Sequence, residues 1–177
     1  MYNLGSMGDS FDKTKAAKGL RTPRLPNTDC VIKATLKRMT EEEGDTSGKF
    51  YQAVFVVTES SSPAVLVGGT YTRAFFQGAS KVDREKCWRK LTPLVVACAG
   101  IAPAELDKVP EQLGEFLHLS GRPGSKDAAL AGADLDLPFR LVRKMVEARP
   151  DKETGKIPSD FLEKDGVTPK KFAEDDY

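Results

Sequence analysis

The chain has 177 residues, with 27 Lys+Arg against 26 Asp+Glu and a formal net charge of +1. Hydrophobic residues make up 40% and charged residues 30%, which excludes a wholly disordered chain and fits one globular domain with tails. No apolar run approaches the roughly 18–20 residues that span a bilayer, the longest being Leu94 to Ile101, so no membrane segment is expected.

The opening lacks a basic stretch followed by an apolar run, so no secretory signal is expected, and three cysteines at unrelated spacings read as a reducing, cytoplasmic compartment. Gly5-Ser6-Met7 looks like an expression remnant ahead of a native Met7. Lys13, Lys15, Lys18, Arg21 and Arg24 then alternate with Gly19, Pro23 and Pro26, and residues 1–26 read as a basic extended arm. A domain is expected over residues 27–166 and an acidic-ended tail over 167–177.

From Cys30 the pattern turns strand-like, with Ile32, Ala34 and Leu36 alternating with Lys33, Thr35 and Lys37. Glu41 to Gly48 reads as a solvated loop. Lys49 to Thr58, rich in Phe, Tyr and Val, reads as a second strand, and Ser60-Ser61-Ser62-Pro63 ends it. Val65 to Phe76 supplies a third, interrupted at Gly68-Gly69. Ser80 with Asp83 forms a capping-box signature, and Trp88, Leu91, Val95 and Cys98 make one apolar helical stripe, with Pro93 expected to kink or divide the helix. A second helix is expected from Pro103 toward Leu117, with Pro110 as its weak point. Residues 120–138 read as a long loop, the alternation of Arg140 to Val146 as a fourth strand, and Ile157 to Leu162 as its returning partner.

The order strand, strand, strand, helix, strand, strand is that of the OB-fold, a five-stranded Greek-key barrel with a helical insertion between strands 3 and 4. The expected class is therefore mainly β with helices. Lys49-Phe50-Tyr51-Gln52-Ala53-Val54-Phe55-Val56-Val57-Thr58-Glu59-Ser60 and Val67-Gly68-Gly69-Thr70-Tyr71-Thr72-Arg73-Ala74-Phe75 resemble the OB-fold single-stranded DNA-binding proteins of bacteriophages. The hairpin from Arg143 to Phe161 and the acidic end Glu174-Asp175-Asp176-Tyr177 are similar in style, though this end is shorter and less acidic. The resemblance implies non-catalytic, largely sequence-independent binding and protection of single-stranded DNA in replication, recombination or repair. It also implies that the tail Glu174, Asp175, Asp176 and Tyr177 contacts replication or recombination proteins; a homo-oligomer stays open.

Such binding needs cations along a phosphate path and aromatic faces for unstacked bases. Tyr71, Arg73 and Phe75 lie two apart and share one face of strand three, either as a ligand face or as core aromatics flanking a rim charge. On strand two, either Phe50, Gln52 and Val54 or Tyr51, Ala53 and Phe55 face outward, and Tyr51 is the favoured stacking residue. Lys33, Lys37 and Lys49 supply charge on the first two strands, and Arg140 and Lys144 share a face of the fourth.

Enzymatic chemistry finds little support. Val67-Gly68-Gly69-Thr70 lacks the lysine and spacing of a phosphate-cradling loop, and no G-x-S-x-G elbow is present. The single histidine, His118, and three cysteines at unrelated spacings suggest neither a triad nor a zinc site nor a disulfide framework, so no metal or cofactor is expected. The rival reading is a viral structural or protein-interaction module that uses the same barrel without nucleic acid. Charge is polarised along the chain: residues 1–99 carry 15 Lys+Arg against 10 Asp+Glu, and residues 100–177 carry 12 against 16.

Overall fold

The computed structural model describes residues 24–44, 48–120 and 134–177. Most of the expected basic arm and of the 120–138 loop lies outside the described residues. Five strands, β1 (Cys30–Gly44), β2 (Gly48–Ser60), β3 (Thr70–Phe76), β4 (Leu137–Glu147) and β5 (Lys171–Asp176), form one antiparallel sheet in the order β3-β2-β1-β4-β5. Two α-helices, α1 (Lys81–Ala99) and α2 (Val109–Leu119), stand between β3 and β4, with a 3-10 helix over Pro103–Lys108 between them. The protein is mainly β with helices, and the sheet is open.

Strand alternation sets the two faces. Ile32, Ala34 and Leu36 of β1, Ala53, Phe55 and Val57 of β2, Tyr71 and Phe75 of β3, and Phe139 and Leu141 of β4 are buried on the inner face. The register slips between Leu36 and Arg38, so Lys37 is an extra residue, and this bulge turns Met39 inward after Leu36. β1 continues through Glu41–Gly44 where a loop is expected, because Glu43 stands opposite Lys49 and Glu41 accepts a hydrogen bond from Gln77 Nε2 at 3.0 Å.

The helices cover this core. Ser80 Oγ accepts the Asp83 N–H at 3.1 Å and donates to the Asp83 carboxylate at 2.6 Å, fixing the start of α1 as the capping signature predicts. Cys87, Leu91, Leu94, Val95 and Cys98 face inward. Pro93 neither ends nor divides α1, which runs on to Gly100, a left-handed cap whose N–H donates to Val96 O. Pro110 marks the boundary between the 3-10 turn and α2, where a missing N–H costs no helical bond. Burial of a side chain such as Leu91 contributes about 1.5–3 kcal/mol.

The fifth strand is not where alternation suggests. Ile157 to Leu162 holds a 3-10 turn, Ser159–Phe161, after Pro158 and a single bridge from Leu162 to Pro169, and the returning strand is the acidic stretch Lys171–Asp176. It pairs with β4 so that Asp175 stands opposite Arg143 and Glu174 opposite Lys144. Opposite charges directly across a ladder favour this register.

β3 and β5 are the two ends of the sheet, yet their side chains meet. Five flat strands would hold their edges about 19 Å apart, beyond the reach of an arginine, so the sheet must be strongly curled. Arg73 of β3 pairs with the Asp175 carboxylate of β5, whose side chain is fully buried. Arg143 grips the same carboxylate through Nε at 2.7 Å and Nη2 at 2.9 Å, while its Nη1 donates to the carbonyls of Leu25 and Pro26. Arg24 bridges Thr72 of β3, and Leu25 is buried, so residues 24–26 form a strap across this seam.

Candidate nucleic-acid interface

The inner face is filled. Tyr71 stacks with Phe55 at 6.3 Å between ring centroids, Phe55 meets Phe139 edge-on at 5.5 Å, and Phe139 touches the Tyr177 ring at 5.9 Å. The Tyr71 hydroxyl accepts the Leu66 N–H at 2.8 Å. Tyr71 and Phe75 are thus core aromatics and not exposed stacking platforms. Arg73, between them, points inward too, with its guanidinium 5.6 Å from the Phe75 ring centroid and its charge met by Asp175. Tyr51, opposite Phe75 on the same face, packs against the core, which corrects its expected outward position.

The other face of β1–β3 carries Phe50, Gln52 and Val54, the alternative set on the second strand. Cross-strand partners build it in rows: Phe50 beside Phe76, Gln52 beside Ala74 and Thr40, Val54 beside Thr72 and Arg38. Phe50 and Phe76 lie 5.3 Å apart between ring centroids, and Phe76 is 47% exposed. Arg38 is exposed, with its nearest carboxylate, that of Asp134, at 3.9 Å. Thr40 Oγ1, in the Gln52 row, is buried with no hydrogen-bond partner among the described residues.

The nominated cations divide. Lys33 is ion-paired with Glu59 at 2.8 Å, and Lys37 is held by Asp136 and Asp134. The hydrogen bond to Asp136, followed by attraction to Asp136 and Asp134, raises the Lys37 pKa above its ordinary value. Arg140 and Lys144 are exposed on the outer face of β4 and make no ion pair among the described residues; Arg140 stands directly opposite Lys33. Lys49 is exposed at the β1–β2 hairpin end, away from Arg140 and Lys144.

The acidic end is likewise divided. Glu174 and Asp176 are exposed, while Asp175 and Tyr177 turn inward. Burial pushes the Tyr177 hydroxyl up to about 12 against the opposing pull of Arg73 and Arg143. Burial, followed by the neighbouring Arg73 charge, lowers the Arg143 pKa. The expected free tail is therefore, through Asp175 and Tyr177, an integral edge of the sheet.

Phe50, Phe76 and Arg38 are outer-face residues absent from the site expected on sequence. Phe50 was legible as one of two alternations. Arg38 was not, because the bulge at Lys37 shifts the phase of β1. Among the described residues no three His, Cys, Asp or Glu side chains could hold a metal ion, and no helix is long and apolar enough to cross a membrane. No family model matches the chain, and comparison with curated proteins and with solved structures finds no similar protein.

Proposed function

We propose that this protein binds single-stranded DNA without catalysis and largely without reading sequence, using the outer face of β1–β3. The single observation that carries this reading is the Phe50–Phe76 pair, set in a row of partly exposed side chains beside Gln52 and Arg38. Exposed rings cost hydration free energy unless a ligand covers them, and a base stacked on an aromatic contributes about 1–3 kcal/mol. Arg38, and Arg140 beyond it, supply charge for the phosphates.

An OB-type barrel is part of the proposal. The strand order β3-β2-β1-β4-β5 supports it, as does the meeting of Arg73 and Asp175 across the two terminal strands. The compartment that suits this role is the cytoplasm.

The test is fluorescence anisotropy with labelled oligo-dT and with duplex DNA at two salt concentrations. Binding to oligo-dT that weakens with salt, and that Phe50→Ala reduces between about fivefold and 150-fold, is the expected result. No binding at low salt would refute the proposal.

A second reading has its own observation. The β2–β3 loop is tied down by hydrogen bonds from Gly68 N to Val57 O, from Val57 N to Gly69 O and from Leu66 N to Tyr71, yet it presents Leu66 at 69% and Val67 at 54% exposure. An ordered apolar tip favours a protein-interaction module. Loss of oligo-dT binding alongside wild-type folding would select that reading.

A further inference from the structure

The outer face does not stop at the edge of β3. Ala74 and Phe76, which belong to its aromatic end, also line a cleft of about 260 Å³ between β3 and α1, with Phe75, Gly78, Asp83, Lys86, Cys87 and Lys90. We propose that this cleft continues the binding track for an unpaired polynucleotide: Phe76 stacks a base, and Lys86 and Lys90 hold the flanking phosphates. The inference rests on the single-strand reading of the outer face and extends it onto the helix.

Three observations converge. Phe76 is the exposed member of the Phe50–Phe76 pair and lines the cleft. Lys86 and Lys90 are four residues apart, so both project from one side of α1, about 6 Å apart along its axis. Both are exposed; Lys90 makes no ion pair among the described residues, and Lys86 has only the Asp83 carboxylate at 3.8 Å.

The wall is held close by the turn before the helix. Gly78 has φ +66°, and a Cβ there would lie 2.3 Å from Asp83 Cβ, so only glycine lets the first turn of α1 approach the end of β3 this closely. Cys87 forms the floor and donates weakly to Phe75 O at 3.6 Å; burial raises its thiol pKa, so it adds no negative charge. The anionic group in the cleft is Asp83, and its carboxylate is already engaged by Ser80 and Lys86. The remaining balance favours a polyanion carrying flat aromatic rings, which is the chemistry of an unpaired strand.

The experiment measures the salt dependence of binding to labelled oligo-dT and, in a second arm, to oligo-U. The proteins are the wild type, Lys86→Ala/Lys90→Ala, Phe76→Leu and a control, Lys152→Ala/Lys156→Ala, in a remote turn. The lysine pair is expected to lower the slope of log K against log salt by about 1.4, as two lost phosphate contacts on a single strand require. Phe76→Leu keeps the packing against Phe50 and is expected to lower affinity at least about fivefold with the slope unchanged. The two arms separate a DNA preference from an RNA preference at the same track.

An unchanged slope in the lysine pair, or an equal fall in the control, overturns this inference while the outer-face reading stands. Wild-type protein that binds neither strand removes both. Thermal melts of each variant confirm that the fold survives.

Discussion

At the scale of single residues, Asp175 has the most concentrated role. Its buried carboxylate answers two guanidiniums, and among the described residues it is the one carboxylate ion-paired with Arg73 and Arg143. Replacing one partner of a buried ionic cluster leaves uncompensated charge and costs about 3–5 kcal/mol. Asp175→Asn is therefore expected to lower the urea midpoint strongly. Arg73→Met, which leaves the bidentate Arg143–Asp175 pair intact, is expected to cost clearly less. Equal losses in the two variants would refute this division of roles. The same residues show where the sequence was unreadable. A cation between Tyr71 and Phe75 looks too costly to bury, and that reasoning holds only while no carboxylate is at hand. The carboxylate comes from a residue about a hundred positions later, and no local pattern announces it. Phe50 differs in kind: strand alternation restricted it to one of two faces, and burial of Ala53 and Phe55 decided which.

At the scale of elements, β2, α1 and most of β1 were readable because their signals are local, whereas the third strand begins at Thr70, after a hydrogen-bonded loop that its expected start at Val65 took in. Alternation marks β1, richness in Phe, Tyr and Val marks β2, and the Ser80–Asp83 cap with its apolar stripe marks α1. β5 was not readable, since Glu174-Asp175-Asp176 has poor strand propensity and becomes a strand only against Arg143 and Lys144. Ile157 to Leu162 has the better local pattern and loses to Pro158 and to the Asp151 and Asp165 turns on either side. Asp151 accepts the N–H groups of Glu153 and Thr154, and Asp165 those of Val167 and Thr168. The β3–α1 junction gives the prediction for this scale. Gly78→Ala places a Cβ into Asp83 and forces a left-handed conformation on alanine, so the cap and the first turn of α1 must shift. A loss of at least about 1 kcal/mol in chemical denaturation is expected, together with weaker protection of the Asp83 and Arg84 amides from hydrogen exchange. Unchanged exchange at those amides would count against a tight junction.

For the whole molecule, the partition of side chains between two faces matters most. The inner face joins the aromatic chain Tyr71, Phe55, Phe139 and Tyr177 to the Arg73–Asp175–Arg143 cluster, so both ends of the sheet are anchored to one core. This arrangement carries a pH signature. A Tyr177 pKa raised to about 12, against an ordinary value near 10, means that the folded state retains a proton the unfolded chain releases. Its contribution to stability is complete below about pH 10 and falls as pH rises toward about 12. Denaturation midpoints across that window should decline in the wild type and decline less in Tyr177→Phe. Identical curves for the two proteins would show that Tyr177 does not carry the effect. The polarised charge of the chain also reads differently in three dimensions. Part of the positive excess in residues 1–99 is answered by acidic residues of the later half, Asp134 and Asp136 at Lys37 and Asp175 at Arg73.

The seam has a kinetic consequence. Arg143 meets the carbonyl of Leu25 across 118 positions of sequence, and Arg73 and Asp175 are separated almost as widely. The β1–β2–β3 meander, by contrast, closes through short connections. Distant contacts form only after long loops have been closed, at an entropic cost that local hairpins avoid. The meander is thus suited to nucleate the fold, and the strap with its ionic cluster locks late. A nascent chain halted before β5 would hold Arg73 and Arg143 inside a half-built core without the Asp175 carboxylate that receives them. Until that strand arrives, the same pair of guanidiniums that later clasps the molecule works against its collapse.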